Sequence, residues 1–410
     1  MSTNCLFCES ENQSLVLPLG QQPLANSYVR PERLEATEPV YPLDLYVCQD
    51  CGMCHIEVVA TSEDIFSDYA YFSSFSTTWL EHAAHYVEKI TARLGLGADS
   101  HVVEIASNDG YLLQFMKERG IPCMGVEPAA NVAEAAVVKG IPTEVAFWGV
   151  EAAARLKAAG KSADLMIANN VLAHVPTLND FVAGFKVLLK ADGVATFEFP
   201  HLMELVKHRQ FDTIYHEHFS YYALFTLEKL FAHHGMTVFD VEQLPTHGGS
   251  LRIYVRHAED EAKGVTDAVR DLVQQELKAG MDTIPYYEAF AASVAGVKTD
   301  FLKFLADAKE AGKTVAAYGA PAKGNTMLNY CGVTAESIAF TLDRNPHKQG
   351  CYLPGSLIPI YAPEHATAVK PDYLVILPWN LKSEIMEQMA HIRDWGGKFV
   401  VAIPELEIIE

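Results

Sequence analysis

Cys5-x-x-Cys8 and Cys48-x-x-Cys51 are two pairs of thiols at two-residue spacing near the start of the chain. Each pair sets two sulfurs on one side of a tight turn, and two such knuckles close a tetrahedron around Zn2+. All four positions are sulfur, so the predicted site is structural, with no open position for catalysis. Cys54 makes a second legal pair with Cys51, and free buried thiols are the plain alternative. Further along, Tyr215-His216-Glu217-His218 gathers three titratable rings and a carboxylate. Such a group offers general acid–base chemistry near neutral pH. A zinc-protease reading needs His-Glu-x-x-His on a helix, which this stretch lacks. Its apolar flanks Ile214, Phe219, Tyr221 and Tyr222 argue against a polar surface loop.

A third motif runs from Val102 to Gly110. Glu104-x-x-x-x-x-Gly110 ends an apolar strand and opens a helix, where nucleotide cofactors are often held. Ala106 is small enough to let a ligand reach the backbone, and Asn108 tolerates unusual backbone angles. An ordinary strand-to-helix turn is the alternative, and the dinucleotide pattern Gly-x-Gly-x-x-Gly is absent. Glu127 ends the next strand in Gly-Val-Glu-Pro, where an acid can accept from both ribose hydroxyls of a nucleoside. NAD and S-adenosylmethionine enzymes both place an acid there, so Glu127 alone does not separate them. Asn169 and Asn170 follow a later strand in Asn-Asn-Val-Leu-Ala-His174 and face the same cleft if the sheet is parallel. A turn, and a packing histidine at 174, are the simpler readings.

Two further loops offer ligand contacts. His247-Gly-Gly-Ser250-Leu-Arg252 joins two strands; its glycines permit close approach, and Arg252 is a candidate for an anionic ligand. Gly319-Ala-Pro-Ala-Lys323-Gly-Asn325 lies at a helix start, which favours anions, and Asp343-Arg-Asn345-x-His-Lys348 lies on the same rim. Together they would suit a nucleotide diphosphate. A hairpin turn and a degenerate scaffold domain are the respective alternatives.

The elements that must position these residues follow from periodicity. Residues 1 to about 60 are punctuated by Gly20, Pro23, Pro31, Pro39 and Pro42, and read as a loop-rich module that a metal must stabilise. Trp79 to Leu94 has helical spacing. From 101 to 199 strands at 101–106, 123–127, 143–147, 164–168 and 193–199 alternate with helices at 111–119, 129–139, 149–159 and 178–190. Gly120 and Gly140 close two of these helices. Strands at 236–244 and 250–256 append a hairpin. Residues 258–312 read as a charged helical connector. A second alternation follows, with strands at 313–318, 337–342, 372–377 and 398–402 and helices at 321–330 and 381–394. The fold class is therefore α/β, with a doubly wound sheet flanked by two smaller domains. Five alternating strands plus a hairpin is the seven-stranded methyltransferase arrangement, by analogy of fold.

Composition narrows the classes. The 410 residues suffice for two or three domains, and half are hydrophobic. No apolar run reaches the ~18 residues of a membrane helix, and no signal peptide is read, so a cytoplasmic protein with no membrane partner is expected. The net charge of −21 disfavours a nucleic-acid partner. Eight cysteines, five of them clustered, do not make a disulfide scaffold.

Taken in order, the two Cys-x-x-Cys pairs, YAYFSSFS, WLEH, EIASNDGYLL, GVEP, ANNVLAHV, DTIYHEHFSYY, THGGSLR and YGAPAKGN resemble the bacterial deoxysugar C-methyltransferases over essentially the whole chain. The resemblance implies a zinc-binding domain (1–66), an S-adenosylmethionine-dependent methyltransferase domain (67–258), and a helical connector with a Rossmann-like substrate domain (259–410). It implies a nucleotide-linked keto-deoxysugar as substrate, held between the last two domains, and a monomer is expected. It makes His218 the base, with Tyr215 and Glu217 beside it, and His174 a second active-site residue. Tyr69 and Tyr71 match the aromatic segment that approaches the sugar. The expected reaction is methylation of a ring carbon, C3, next to the ketone of a 4-keto sugar through an enolate. His218 is oriented by Glu217, and Tyr215 or His174 faces the oxyanion. The competing readings are a nicotinamide-dependent sugar-nucleotide oxidoreductase, a zinc-ribbon nucleic-acid methyltransferase or binding protein, and an enzyme of this fold that methylates oxygen or nitrogen.

Overall fold

The structure, a computed structural model, describes residues 4–59 and 73–410. Its N-terminal segment is more regular than its prolines and glycines suggest. Strands β1 (Gln13–Gln22), β2 (Tyr41–Cys48) and β3 (Cys54–His55) form an antiparallel ladder. β1 shifts register against β2 between Leu15 and Leu17 and again between Pro18 and Gln21. Such bulges accommodate Pro18, and Gly20 at φ 81°, without ending the strand. Residue types alone therefore read as loop where the chain is sheet.

Helix α1 (Thr77–Leu94) starts at Ser76, whose side chain accepts from the Trp79 N–H, and stops at left-handed Gly95. It buries Ala83, Tyr86, Val87 and Ile90, one stripe at helical spacing. The alternation follows: β4 (Val102–Ile105), α2 (Leu113–Glu118), β5 (Cys123–Glu127), α3 (Ala130–Val138), β6 (Thr143–Val145), α4 (Val150–Ala158), β7 (Ala163–Asn169), α5 (Leu178–Leu188) and β8 (Leu189–Pro200). Then come α6 (Leu202–Lys207), β9 (Ser220–Tyr221), α7 (Leu224–His233), β10 (Met236–Leu244) and β11 (Ser250–His257). The seven-stranded sheet has the order β10-β11-β8-β7-β4-β5-β6. β11 runs antiparallel to both its neighbours, and β4 to β8 are parallel. Chain order reverses between β4 and β7, so the loops after these strands diverge and open a crevice at their carboxyl ends.

β9 does not join this sheet. It pairs with β3, Cys54 opposite Tyr221 and His55 opposite Ser220, and completes the N-terminal sheet. The residues just after His218 are thus anchored in the metal-binding module.

Two helices, α8 (Asp267–Lys278) and α9 (Ile284–Glu310), form the connector. α9 buries Tyr287, Phe290, Val294 and Phe301 in a core that also holds Leu17 and Leu45 of the N-terminal sheet and Val375 of the last domain. That domain comprises β12 (Val315–Tyr318), α10 (Ala322–Cys331), β13 (Thr341–Leu342), β14 (Ile360–Tyr361), α11 (His365–Val369), β15 (Tyr373–Ile376), α12 (Lys382–Gln388), β16 (Lys398–Val401) and β17 (Glu407–Ile409). Its sheet order is β14-β13-β12-β15-β16-β17, parallel except for β17. The strand expected at 337–342 pairs only at its end, because the Ser337 and Ile338 N–H groups turn back to the Thr334 carbonyl. The helix expected at 381–394 ends at Gln388 and continues as 3-10 turns to Trp395, ahead of left-handed Gly396. No described helix is long and apolar enough to cross a membrane.

Candidate active site

Cys5, Cys8, Cys48 and Cys51 converge, their sulfurs all within 4.8 Å of one another. Cys5 and Cys51 lie 3.5 Å apart, as do Cys8 and Cys48. Zn–S bonds of about 2.3 Å put tetrahedral sulfurs about 3.8 Å apart, so the four thiols fit zinc and leave no open position. Cys54 stands outside the cluster, fully buried on β3 with its thiol against the Tyr287 hydroxyl. The four clustered cysteines would hold Zn2+ as a structural ion.

A cavity of about 1200 Å³ opens at the carboxyl ends of β4, β5, β7 and β8 and is roofed by the C-terminal domain. Ala106, Asn108 and Asn170 line it with left-handed backbones, at φ 53°, 49° and 54°. Asparagine takes that conformation readily, whereas Ala106 holds it at a cost of roughly 1–2 kcal/mol. The curled loop turns polar backbone toward the space beside β5. Glu127 fixes it: one carboxylate oxygen accepts from the Asn108 N–H at 2.8 Å, the other from the Ala129 N–H at 2.9 Å. Burial raises the Glu127 pKa, and those two N–H groups oppose the rise. Loop and carboxylate together fit the amino-acid and ribose parts of S-adenosylmethionine. Glu127→Ala should weaken binding of S-adenosylhomocysteine by about 10- to 100-fold, the roughly 1.5–3 kcal/mol of a hydrogen bond to a charged group. Titration calorimetry measures it, and unchanged affinity would remove Glu127 from the cofactor side.

Asn169 also lines the cavity, whereas Glu104 and Gly110 stand behind its wall. Glu104 is buried against the Tyr111 hydroxyl, and burial with Glu127 nearby pushes its carboxyl well up. Gly110, at φ 75°, would drive a Cβ to 2.4 Å from Ile141 Cδ1. It shapes the loop from outside.

On the opposite wall, Thr213 carbonyl oxygen lies 2.9 Å from His218 Nδ1, and Tyr215 hydroxyl lies 2.8 Å from His218 Nε2. A carbonyl only accepts, so Nδ1 carries the proton and Nε2 presents its lone pair to Tyr215. Burial, with His174 alongside, holds the His218 pKa well below the usual range, so the ring is neutral at pH 7. His174 packs edge-on at 4.6 Å between ring centroids. Its ring bonds the Glu217 carbonyl, and burial lowers its pKa to about 4. The group that orients His218 is therefore the Thr213 carbonyl; Glu217 turns its carboxylate to Asn26, 2.6 Å away. Tyr215, Glu217, His218 and His174 all face the cavity.

The two loops expected at the ligand divide. His247 and Lys323 line the cavity; Ser250, Arg252 and Asn325 do not. Arg252 is buried, 2.5 Å from Glu198 and stacked on the Tyr86 ring at 4.4 Å. Ser250 donates to the Thr246 carbonyl, and Asn325 to the Ala25 carbonyl. Tyr69 and Tyr71 lie outside the described residues. Several cavity residues have no signal in local spacing. Trp79 stacks on His82 and Tyr111, at 4.9 and 6.0 Å, and His82 donates to Glu198 at 2.8 Å. Burial works to raise the Glu198 pKa, but His82 and Arg252 hold it below the usual range. Asn26 arrives from the N-terminal module and Trp379 from the end of β15.

Three family models match successive segments of the chain. Residues 5–66 match the family model "Putative zinc binding domain", 79–241 a "Methyltransferase domain", and 245–404 a "C-methyltransferase C-terminal domain". The C-methyltransferase NovU of Streptomyces niveus is 35% identical over 99% of this chain and 96% of its own length. Among solved structures, an S-adenosylmethionine-dependent methyltransferase from Clostridium acetobutylicum aligns at 11% identity with TM-score 0.35, covering 43% of this chain and 92% of that one. Magnesium protoporphyrin IX methyltransferase from Synechocystis, with bound S-adenosylmethionine, aligns at 15% and 0.33, covering 47% and 88%. These last two likenesses are too slight to carry an argument. The full-length match and the three family segments, set on a seven-stranded sheet with a four-cysteine module in front, make this chain a member of the S-adenosylmethionine-dependent C-methyltransferase family.

Proposed function

We propose that the enzyme methylates the ring carbon next to the ketone of a nucleotide-linked 4-keto-deoxysugar, at C3, through an enolate. The observation that carries the reading is the run from the Thr213 carbonyl through His218 to the Tyr215 hydroxyl, a neutral imidazole fixed in one tautomer at a cavity wall. A carbon bound to hydrogen is not nucleophilic until a neighbouring carbonyl lets its proton leave. Nε2 of His218 is the proton's destination. Tyr215 already donates to that nitrogen, so it passes its own proton on as it receives the one from carbon. His174, edge-on to His218 with its one N–H on the Glu217 carbonyl, keeps the base from turning, and the developing enolate oxygen is left to Tyr215. S-adenosylmethionine, when bound, supplies an electrophilic methyl group for this carbon. Asn26, Lys323 and Trp379 bring the outer domains onto the same space, as holding two reactants at contact distance requires.

NovU is a C-methyltransferase, which supports carbon as the acceptor atom. The test is a panel of thymidine-, uridine- and guanosine-diphosphate 4-keto-6-deoxyhexoses in D2O. Methyl on carbon by NMR, with solvent deuterium entering C3 in the presence of S-adenosylhomocysteine, is expected. Methyl on oxygen or nitrogen without exchange would end the reading.

A further inference from the structure

The turn that carries the base is gripped by the C-terminal domain. Asp212 is fully buried on the 3-10 turn Phe211–Thr213, one residue before the carbonyl that fixes His218. Its Oδ2 accepts from the indole N–H of Trp379 at 2.8 Å, a bond from the end of β15 into the methyltransferase domain. Among the described residues no other side chain bonds Oδ1, and the backbone N–H groups of Asp212 and Thr213 act on the same carboxylate. Burial pushes the Asp212 carboxyl up to about 6, with Lys323 and the indole opposing. The same turn is held twice more from α10. Thr326 donates to the Ile214 carbonyl at 2.9 Å, and Tyr330 packs edge-on against Phe211. Trp379 lies under Lys323, whose ammonium sits 4.7 Å above its ring and bonds Asn380. Gly248, at φ 88°, leaves room for this ring: a Cβ there would come within 2.6 Å of Trp379 Cη2.

We propose that Trp379 and Asp212 form a positioning pair, through which the seating of the C-terminal domain sets the Thr213 carbonyl and so the tautomer and aim of His218. The pair touches the base only through the turn, so it is a positioning device, and the inference rests on His218 being the base. Trp379 is also a cavity residue, beside the cation best placed for an anionic end of the substrate. Contact there would tighten the bond to Asp212 and make proton removal depend on a correctly seated substrate.

The test uses the full-length enzyme with zinc and four variants: Trp379→Phe, Asp212→Leu, their double variant, and Asp212→Asn, which keeps an acceptor oxygen. On whichever panel sugar nucleotide is turned over, Trp379→Phe and Asp212→Leu should each lower kcat by about 10- to 100-fold, the scale of a displaced catalytic group. S-adenosylhomocysteine affinity should stay near wild type in both, and KM should stay near wild type in Asp212→Leu, which lies outside the cavity lining. The double variant should be no slower than the singles, and Asp212→Asn should recover most of the rate. Nitrogen-15 spectra of labelled histidine, with the His218 signal assigned by its loss in His218→Asn, read the tautomer without any substrate. The Nδ1–H form should dominate in wild type and mix with the Nε2–H form in Trp379→Phe. A loss confined to KM, multiplicative singles, or an unchanged tautomer would overturn the pair. Normal turnover in His218→Asn would instead sink the base, and the tautomer shift would still report whether the coupling exists.

Discussion

His218→Asn is expected to lower methyl transfer by about 10²- to 10⁴-fold, the usual contribution of a general base, and to leave S-adenosylhomocysteine affinity unchanged. Asparagine is compact and polar, and can still donate to the Thr213 carbonyl, so the turn keeps its internal bond. It has no basic nitrogen for a proton from carbon. The proposed cofactor residues Ala106, Asn108 and Glu127 sit on the loops after β4 and β5, where the Glu127 carboxylate is bonded to the Asn108 and Ala129 N–H groups. The two readouts should therefore separate cleanly. Deuterium entry at C3 should fall with methyl transfer, because both need the same carbanion. The pH profile adds a second check. The imidazole works in its neutral form, and burial lowers its pKa well below 6.5, so neutral base persists as pH falls through 6.5. The acid limb of kcat should lie below the ordinary histidine range in wild type and vanish in the variant. Full turnover in His218→Asn, or an acid limb at 7 or above, would exclude the ring as base.

How far the sequence reached into this site depends on where each residue gets its partners. The shape of the loop after β4 was legible because its requirements are local: an apolar strand, a small residue, an asparagine fit for φ 49°, and an acid at the next strand end. The zinc knuckles were legible for the same reason. Arg252 shows the limit. A strand-borne arginine near two glycines looks free for an anion, yet Glu198, 54 residues earlier in the chain, takes it, and Tyr86 covers it. Glu217 is the converse. Its neighbour in sequence is His218, but the tight turn closed by the His218 N–H on the Tyr215 carbonyl throws adjacent side chains apart, and the Glu217 carboxylate meets Asn26 from the other end of the chain. The orienting group is a backbone carbonyl, which no residue type announces. β1 escaped reading because its bulges absorb Pro18 and Gly20. β9 escaped because two residues carry no periodicity, and only the β3 edge makes them a strand.

That same β9 pairing makes the zinc site matter for catalysis. Removing the metal, or Cys48→Ser, should unfold the N-terminal module and abolish methyl transfer together. A structural zinc contributes on the order of 10–16 kcal/mol of apparent binding free energy, comparable to the 5–15 kcal/mol stability of a whole domain. Around the metal little can replace it: Cys5, Cys48 and Cys51 are themselves buried against the methyltransferase domain, and β3 is two residues long. Loss of the knuckle at Cys48–Cys51 frees the turn that presents Cys54 and His55 to Tyr221 and Ser220. The Cys51 carbonyl also accepts from Lys229 on α7, and a Cβ on Gly52 would meet Phe225 within 2.6 Å, so the turn is seated directly on the methyltransferase domain. Freed at β9, the segment from Tyr215 to Phe219 loses its downstream anchor, while Glu127 and the loop after β4 keep theirs in the central sheet. The expected result is one zinc per chain by elemental analysis and an early melting transition in the stripped protein. Methyl transfer should fall below detection, and S-adenosylhomocysteine should still bind. Re-addition of zinc should restore the rate in wild type and not in Cys48→Ser. Full activity in a chelated, zinc-free enzyme would show that the module needs no metal to hold the base in place.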